Sequence, residues 1–165
     1  MDLKDLSQAR LKGILRGVEK ESLRVTPEGA LALTPHSRAL GAALTHPHVT
    51  TDFSESQLEL ITGTHASADS LVEELTQVHQ FVFTHIGDEI LWAGSMPVCL
   101  PADEEIPLGR YGTSNVGRAK TVYRSGLSYR YGRRMQAISG IHYNFSLDDE
   151  AWRPLGMSGD RKSVV

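Results

Sequence analysis

The sequence predicts an α+β fold in which a helix covers one face of a sheet. Three stretches alternate between two kinds of side chain, as strands do when their two faces differ: residues 16–25, 57–62 and 141–146. Between residues 66 and 87 the period changes. Apolar residues recur there every three or four positions, as on one side of a helix: Leu71, Leu75, Val78, Val82 and Ile86.

The first strand, RGVEKESLRV at residues 16–25, organises the predicted site. Glu19 and Glu21 point to one face, about 7 Å apart at the usual strand rise, and Lys20 points to the other. Two like charges at this distance repel each other unless a cation lies between them. The stretch is therefore either half of a divalent-cation site on a rigid strand or a solvated edge strand with two surface glutamates.

The segments around this strand predict two helices and a hairpin. Residues 1–15 place leucines at helical spacing, which indicates an amphipathic helix that Gly13 weakens at its end. Residues 26–29, TPEG, predict a turn, because Pro presets φ at the second position and Gly accepts a positive φ. Residues 30–33 are predicted to return as the partner strand, and residues 38–44 to form a short helix.

A second strand is predicted within residues 50–62, TTDFSESQLELIT. Glu59 lies between two leucines, and burying an unpaired carboxylate is unfavourable. Glu59 therefore either faces water or has a cation beside it. Asp52 lies near the start of the same stretch and adds another carboxylate.

The predicted helix at residues 66–87 has its own start and stop signals. Ser67 or Asp69 can cap its start, and Gly87 suits the position after its end. Residues 88–110 are interpreted as a loop. Cys99 lies in this loop without a visible His partner, so it is not interpreted as a nucleophile.

Residues 106–147 form a basic stretch without any acidic residue. It contains seven fixed positive charges, among them Arg124, and Tyr123, Tyr129 and Tyr131 are interleaved with them. Thr113, Ser114 and Asn115 are candidate helix caps, and a helix start of this kind suits carboxylate or phosphate. The alternatives are a basic helix that faces solvent or an acidic partner, and a surface for single-stranded nucleic acid.

The strand QAISGIHYNFS at residues 136–146 separates apolar from polar side chains. Its apolar face carries Ile141, Tyr143 and Phe145, and its polar face carries His142, Asn144 and Ser146. His and Asn two positions apart can bind a metal or phosphate oxygens. The pattern predicts a strand that lines a cavity, although a solvent-exposed polar face would also produce it.

The composition is that of an ordinary globular protein. The chain has 165 residues, 40% of them hydrophobic, and a net charge of −3, which gives no attraction to nucleic acid or to an anionic membrane. Its single cysteine excludes an internal disulfide and fits a reducing compartment. Residues 1–17 lack the apolar segment of a signal peptide, and no apolar run approaches the length of a membrane span. We therefore expect a cytoplasmic protein that binds neither nucleic acid nor membrane.

Taken together, these motifs resemble the bacterial glutamate–cysteine ligase family, also called γ-glutamylcysteine synthetase. The motifs occur in family order across residues 12–147: RGVEKESLRV, LTHPHVTTDFSESQLELIT, GDEILWAGSMP, YGTSNVGRAKTVYRSGLSYRYG and MQAISGIHYNFS. The resemblance implies a glutamine-synthetase-like funnel of antiparallel strands with outer helices. It also implies ATP-dependent joining of the glutamate γ-carboxylate to the cysteine amine through a γ-glutamyl phosphate, the first step towards glutathione.

The resemblance further implies roles for particular residues. The magnesium ligands, which could also hold Mn²⁺, are Glu19, Glu21, Asp52, Glu59 and His142. Asn144 belongs with His142 at the metal and nucleotide end of the funnel. Tyr123 lines the cysteine pocket with Leu127 and Gln136 as neighbours, and Arg124 holds a substrate carboxylate. The substrates are L-glutamate, L-cysteine and ATP.

The chain is shorter than the enzymes it resembles, and residues 148–165 carry no motif of the family. We therefore expect residues 1–147 to be the N-terminal part of the catalytic domain, residues 148–165 to be a separate tail, and the chain alone to be inactive. The alternative function is a non-catalytic remnant that binds magnesium or an anion, or that associates with a complementing chain.

Overall fold

An antiparallel sheet is built around one long strand. The structure, a computed structural model, describes residues 13–97 and 99–147. Its strands are β1 Leu15–Val25, β2 Val49–Thr51, β3 Gln57–Ile61, β4 Ile90–Leu91 and β5 Ile141–Ser146. The strand order is β2-β3-β1, and the other edge of β1 pairs with β5 along its first half and with β4 at its end. β1 is therefore the element that brings the other strands together.

Three α-helices and two short 3-10 helices complete the described part of the chain. The α-helices are α1 Ala68–Phe83, α2 Asn115–Tyr131 and α3 Arg133–Gln136, and the 3-10 helices are Arg38–Leu40 and Asp103–Glu105. Ser67 caps α1 and Ser114 caps α2, each by accepting a hydrogen bond from a backbone N–H three residues on. Across residues 13–97 and 99–147, every helix is too short or too polar to cross a membrane.

Helix α1 covers one face of the sheet with the apolar side that the sequence predicts. Val78 and Val82 of α1 pack against Leu58 and Leu60 of β3, and all four side chains are buried. Fully burying an aliphatic side chain of this size contributes about 1.5–3 kcal/mol. Because this core occupies one face of β3, only the side chains on the other face of that strand are available for a functional site.

A second, smaller core lies on the opposite face of the sheet. Leu23 of β1, Leu31, Ile106 and Ala137 are buried together there. Ala137 follows α3 and comes four residues before β5, so its burial holds the start of β5 close to β1.

Several element boundaries differ from the sequence prediction. Helix α1 ends at Phe83 with Thr84 as its C-cap, and Gly87 (φ 65°) lies in the turn beyond. The stretch at residues 50–62 is two strands with a turn between them, and the segment at residues 88–110 contains the short strand β4.

The weaker helix and hairpin predictions were also only partly right. In the segment at residues 30–33, Ala30 and Leu31 each make an isolated bridge rather than a strand, and the helix predicted at residues 38–44 is one 3-10 turn, Arg38–Leu40. Leu15, assigned to an N-terminal helix, is the first residue of β1. Residues 1–12 of that predicted helix lie outside the described residues, as does the predicted tail at residues 148–165.

Candidate functional site: a carboxylate-rich sheet face

The strand register brings five of the predicted site residues to one face of the sheet. Glu21 of β1 lies directly opposite Glu59 of β3, and Glu19 lies opposite His142 of β5. Directly opposed residues of antiparallel strands project from the same face, and Asn144 shares the parity of His142. We call this set, Glu19, Glu21, Glu59, His142 and Asn144, the acidic face.

Asp52 lies in the turn between β2 and β3, beside the acidic face. Its backbone N–H donates to the Gln57 carbonyl at 3.1 Å. The buried Tyr111 hydroxyl donates to the carbonyls of Thr51 and Asp52, and burial raises the pKa of that hydroxyl. Asp52 also contributes to raising the pKa of Glu59, so its charge acts on the same site.

Burial and charge repulsion make the acidic face unfavourable as a set of bare carboxylates. Burial, followed by the charges of Asp52, Glu19 and Glu21, raises the pKa of Glu59 from 4.5 to about 7. The pKa of Glu21 is also raised, chiefly by burial, although a hydrogen bond from the Gly140 N–H opposes the shift. A cation between these groups would relieve the repulsion.

Two of the three polar side chains of β5, those of His142 and Asn144, reach Glu19. The Asn144 amide Nδ2 donates to Glu19 Oε1 at 3.0 Å, and His142 Nδ1 lies 3.4 Å from Glu19 Oε2. A cavity of about 290 Å³ is lined in part by Glu19, Asn144, Thr62 and Gly63. Asn144 and Ser146 line this cavity together with Phe145 from the other side of β5, whereas His142 does not, so a cavity lined by the polar face of β5 stays a prediction.

The predicted substrate residues lie on the helices that follow. Tyr123 on α2 is 64% exposed, while Leu127 on α2 and Gln136 on α3 are half-buried. Arg124 donates from Nε to the Asp52 carbonyl at 2.5 Å, and its guanidinium lies 4.5 Å from the centre of the Tyr111 ring. Arg124 therefore connects α2 to the turn that carries Asp52. Within residues 13–97 and 99–147, no hydrogen bond joins Tyr123, Leu127 or Gln136 to the acidic face.

Comparison with known proteins decides the family. The profile of the family described as glutamate-cysteine ligase matches residues 2–163. The chain belongs to the glutamate–cysteine ligase family. The match runs past residue 147, where the sequence alone suggested that the resemblance ends, and the domain boundary there stays a prediction.

Individual glutamate–cysteine ligases resemble this chain over most of its length. It is 58% identical over 145 residues to the enzyme of Alcanivorax borkumensis and 56% identical over 142 residues to that of Pseudomonas putida. These matches cover 88% and 86% of the chain but 28% and 27% of the relatives. The chain therefore spans little more than a quarter of the length of these relatives.

Two crystal structures share the fold. A glutamate–cysteine ligase from Francisella tularensis in complex with AMP superposes with a TM-score of 0.83 at 48% identity, covering 87% of this chain and 29% of that one. A bifunctional glutathione synthetase from Pasteurella multocida gives 0.82 at 33% identity, covering 97% and 21%. The predicted α+β fold, an antiparallel sheet with outer helices, is confirmed.

The magnesium ligands implied by the family resemblance are on one side of the sheet but are not gathered into a coordination sphere. In the described part of the chain, no three His, Cys, Asp or Glu side chains are close enough together to hold a metal ion as they stand. The side chains of His142 and Asn144 turn to Glu19, and Glu21 accepts hydrogen bonds from its own neighbours. The residue types fit Mg²⁺, because hard carboxylate oxygens are its usual ligands and their mutual repulsion disfavours the bare state.

Sequence reasoning missed the residues that hold these carboxylates in place. Gln57 is fully buried, and its side-chain amide donates a hydrogen bond to Glu21. In the segment before β5, Ser139 accepts a second hydrogen bond from the Gln57 amide, and the Gly140 N–H donates to Glu21. The parity of Gln57 with Glu59, two positions apart on β3, is the sequence signal that could have identified it. Tyr111, which fixes the Asp52 turn, gave no such signal.

Proposed function

We propose that this chain supplies the metal and phosphate end of a glutamate–cysteine ligase active site. The enzyme would join the γ-carboxylate of L-glutamate to the amine of L-cysteine, with ATP forming a γ-glutamyl phosphate intermediate. The observation that carries the proposal is the acidic face, where Glu21 and Glu59 lie opposite each other and Glu59 has a pKa of about 7. The AMP complex of the Francisella tularensis relative supports a nucleotide as one substrate.

The chemistry of the reaction explains why such a face is needed. A carboxylate is a poor acylating agent, so it must first be phosphorylated, and phosphoryl transfer requires charge neutralisation at the phosphate oxygens. Mg²⁺ or Mn²⁺ would supply that charge. Glu19, Glu21, Asp52, Glu59 and His142 would hold the ion, and Asn144 would stand at the nucleotide end beside the cavity.

The helical residues would bind the amino acid substrates in this proposal. Tyr123, with Leu127 and Gln136, would form one wall of the cysteine pocket, because exposed tyrosine provides an apolar body and a polar tip. Arg124 would hold a substrate carboxylate through the part of its guanidinium that does not contact Asp52. A cytoplasmic location fits these soluble substrates and stays a prediction.

The exposed apolar side of β5 favours a second candidate function, association with a complementing chain. Ile141, Tyr143 and Phe145 are 66%, 57% and 63% exposed, and β5 pairs with β1 at only one of its edges within the described residues. An apolar face beside an unpaired strand edge is a typical docking surface. The occupant in this proposal is the remaining polypeptide of a ligase domain, provided in the same chain or separately.

A hybrid enzyme tests the proposed function. This chain would replace the matching segment of the Alcanivorax borkumensis enzyme, and γ-glutamylcysteine would be measured with ATP, magnesium, glutamate and cysteine. We expect turnover by the hybrid, none by the 165-residue chain alone, and a loss of about 100-fold or more in the hybrid that carries Glu59→Gln.

The comparison includes a matched control. Glu73 lies exposed on α1, away from the acidic face, so Glu73→Gln in the same hybrid should leave turnover unchanged. A folded hybrid without activity, or full activity with Glu59→Gln, would contradict the proposed function.

A further inference from the structure

Gln57 is a buried amide whose hydrogen bonds converge on one carboxylate of the acidic face. It lies on β3 with no exposed surface. Its Nε2 donates to Glu21 Oε2 at 3.3 Å and to Ser139 Oγ at 3.2 Å. The Gly140 N–H donates to the same Glu21 oxygen at 2.9 Å, so two donors hold Oε2.

The other end of the Gln57 amide has no partner. Its Oε1 is buried and accepts no hydrogen bond from any described residue. A buried polar atom without a partner is unfavourable, and a leucine or methionine of similar volume would avoid the penalty. Turning the amide over would not help, because its oxygen would then face the Glu21 carboxylate. The hydrogen bonds that Nε2 donates to Glu21 and Ser139 therefore set the orientation of the Gln57 amide.

The segment that carries Ser139 and Gly140 is itself fixed. The Ser139 N–H donates to the Ser95 carbonyl at 3.0 Å, the Glu21 N–H donates to the Gly140 carbonyl at 3.0 Å, and Ala137 is buried in the second core. Glu21 is thus held against a rigid support rather than a free loop. Among the described residues no hydrogen bond reaches Glu21 Oε1, so one oxygen is restrained and the other is available.

We propose that Gln57 is a positioning residue, which restrains one oxygen of Glu21 so that the other is presented to the divalent cation. The inference rests on the proposed function, because it assumes that Glu21 is a metal ligand. Gln57 itself does not touch the ion. Its contribution is to reduce the number of rotamers that Glu21 must give up when the ion binds, and outer groups of this kind typically change metal affinity by about 10–100-fold.

The test is the affinity of the 165-residue chain for Mn²⁺, measured by the loss of the free-ion electron paramagnetic resonance signal. Gln57→Met removes the donor with little change of volume. We expect about 10-fold weaker Mn²⁺ binding, with a melting temperature equal to or higher than that of the unsubstituted chain, since the unpaired oxygen is also removed. Gln77→Met, at an exposed position of α1, is the matched control and should change neither quantity.

A double-mutant cycle separates positioning from a general structural effect. In the Glu21→Gln background, Gln57→Met should cause no further loss of Mn²⁺ affinity, because the carboxylate it restrains is gone. A structural role would reduce affinity by the same factor in both backgrounds. Should Gln57→Met fail to fold, Ser139→Ala removes the other partner of the Gln57 amide and should weaken binding about 3-fold.

The outcomes distinguish this inference from the proposed function. Unchanged Mn²⁺ affinity in Gln57→Met, or an equal loss in both backgrounds, would overturn the positioning role and leave the metal site in place. No Mn²⁺ binding by the unsubstituted folded chain would overturn the metal end of the proposed function and the role of Gln57 with it.

Discussion

Replacing Glu59 with glutamine should stabilise the fold at alkaline pH and leave it unchanged in acid. Burial and the charges of Asp52, Glu19 and Glu21 raise the pKa of Glu59 from 4.5 to about 7 in the folded chain. Because the folded pKa is the higher one, the folded state holds the proton more tightly than the unfolded state. That stabilising contribution is complete below about pH 4.5 and is lost as the pH rises through about 7.

The size of the effect follows from the same pKa. A rise from 4.5 to about 7 corresponds to at most about 3 kcal/mol. Glu59 is only half-buried, so solvent screening reduces the figure to about 1–2 kcal/mol. Glutamine keeps the shape without the charge, and for a chain of this length the gain corresponds to an increase of about 2–8 °C in melting temperature.

Urea unfolding at pH 5 and pH 8, without divalent cations, would measure the difference. We expect Glu59→Gln to gain about 1–2 kcal/mol at pH 8 and to gain little at pH 5, whereas the exposed control Glu73→Gln gains nothing at either pH. Added Mg²⁺ should stabilise the unsubstituted chain more than the Glu59→Gln variant. A variant that is less stable at pH 8, or equally stabilised at both pH values, would refute the account of Glu59 as a repelled carboxylate.

Three further substitutions test other parts of the structure. Gly117→Ala would place Cβ 2.4 Å from the Tyr111 carbonyl oxygen, so we expect a loss of about 1–3 kcal/mol in urea unfolding; no loss would exclude this close approach. Arg24→Met would leave Glu89 without its buried partner, 2.5 Å away, and should cost about 3–5 kcal/mol; a neutral result would mean that the pair is solvated. In the hybrid enzyme, Tyr123→Ala should raise KM for cysteine more than KM for ATP, and equal effects would indicate a general defect.

The parts of the fold that could be predicted from sequence are those governed by local periodicity. Alternation placed Glu19 and Glu21 on one face of β1, and the spacing of Val78 and Val82 identified the buried side of α1. Ser67 is one of the two cap candidates that the sequence offers, and it is the N-cap of α1, because its side chain accepts from the backbone N–H three residues away. Each of these signals is contained within a few neighbouring residues.

The parts that could not be predicted depend on contacts between distant segments. The break between β2 and β3 is stabilised by the Tyr111 hydroxyl, about sixty positions further along the chain. The Gln57–Ser139 hydrogen bond joins residues 82 positions apart. Strand parity predicts which face a side chain occupies, but it does not predict which partner fixes its rotamer, as Glu21 and Gln57 illustrate.

Mn²⁺-induced broadening of backbone amide NMR signals tests the central claim most directly, namely that carboxylates of neighbouring strands form one divalent-cation site. Substoichiometric Mn²⁺ added to the 165-residue chain should broaden the signals of Glu21, Glu59 and Asn144 first. The Gly29 signal should be less affected, because Gly29 lies in the turn beyond the end of β1, and the four residues of extended strand from Glu21 to Val25 alone span about 13 Å. Excess Mg²⁺ should restore the broadened signals. Uniform broadening, or broadening centred away from these three residues, would contradict the assignment of the acidic face as a metal site.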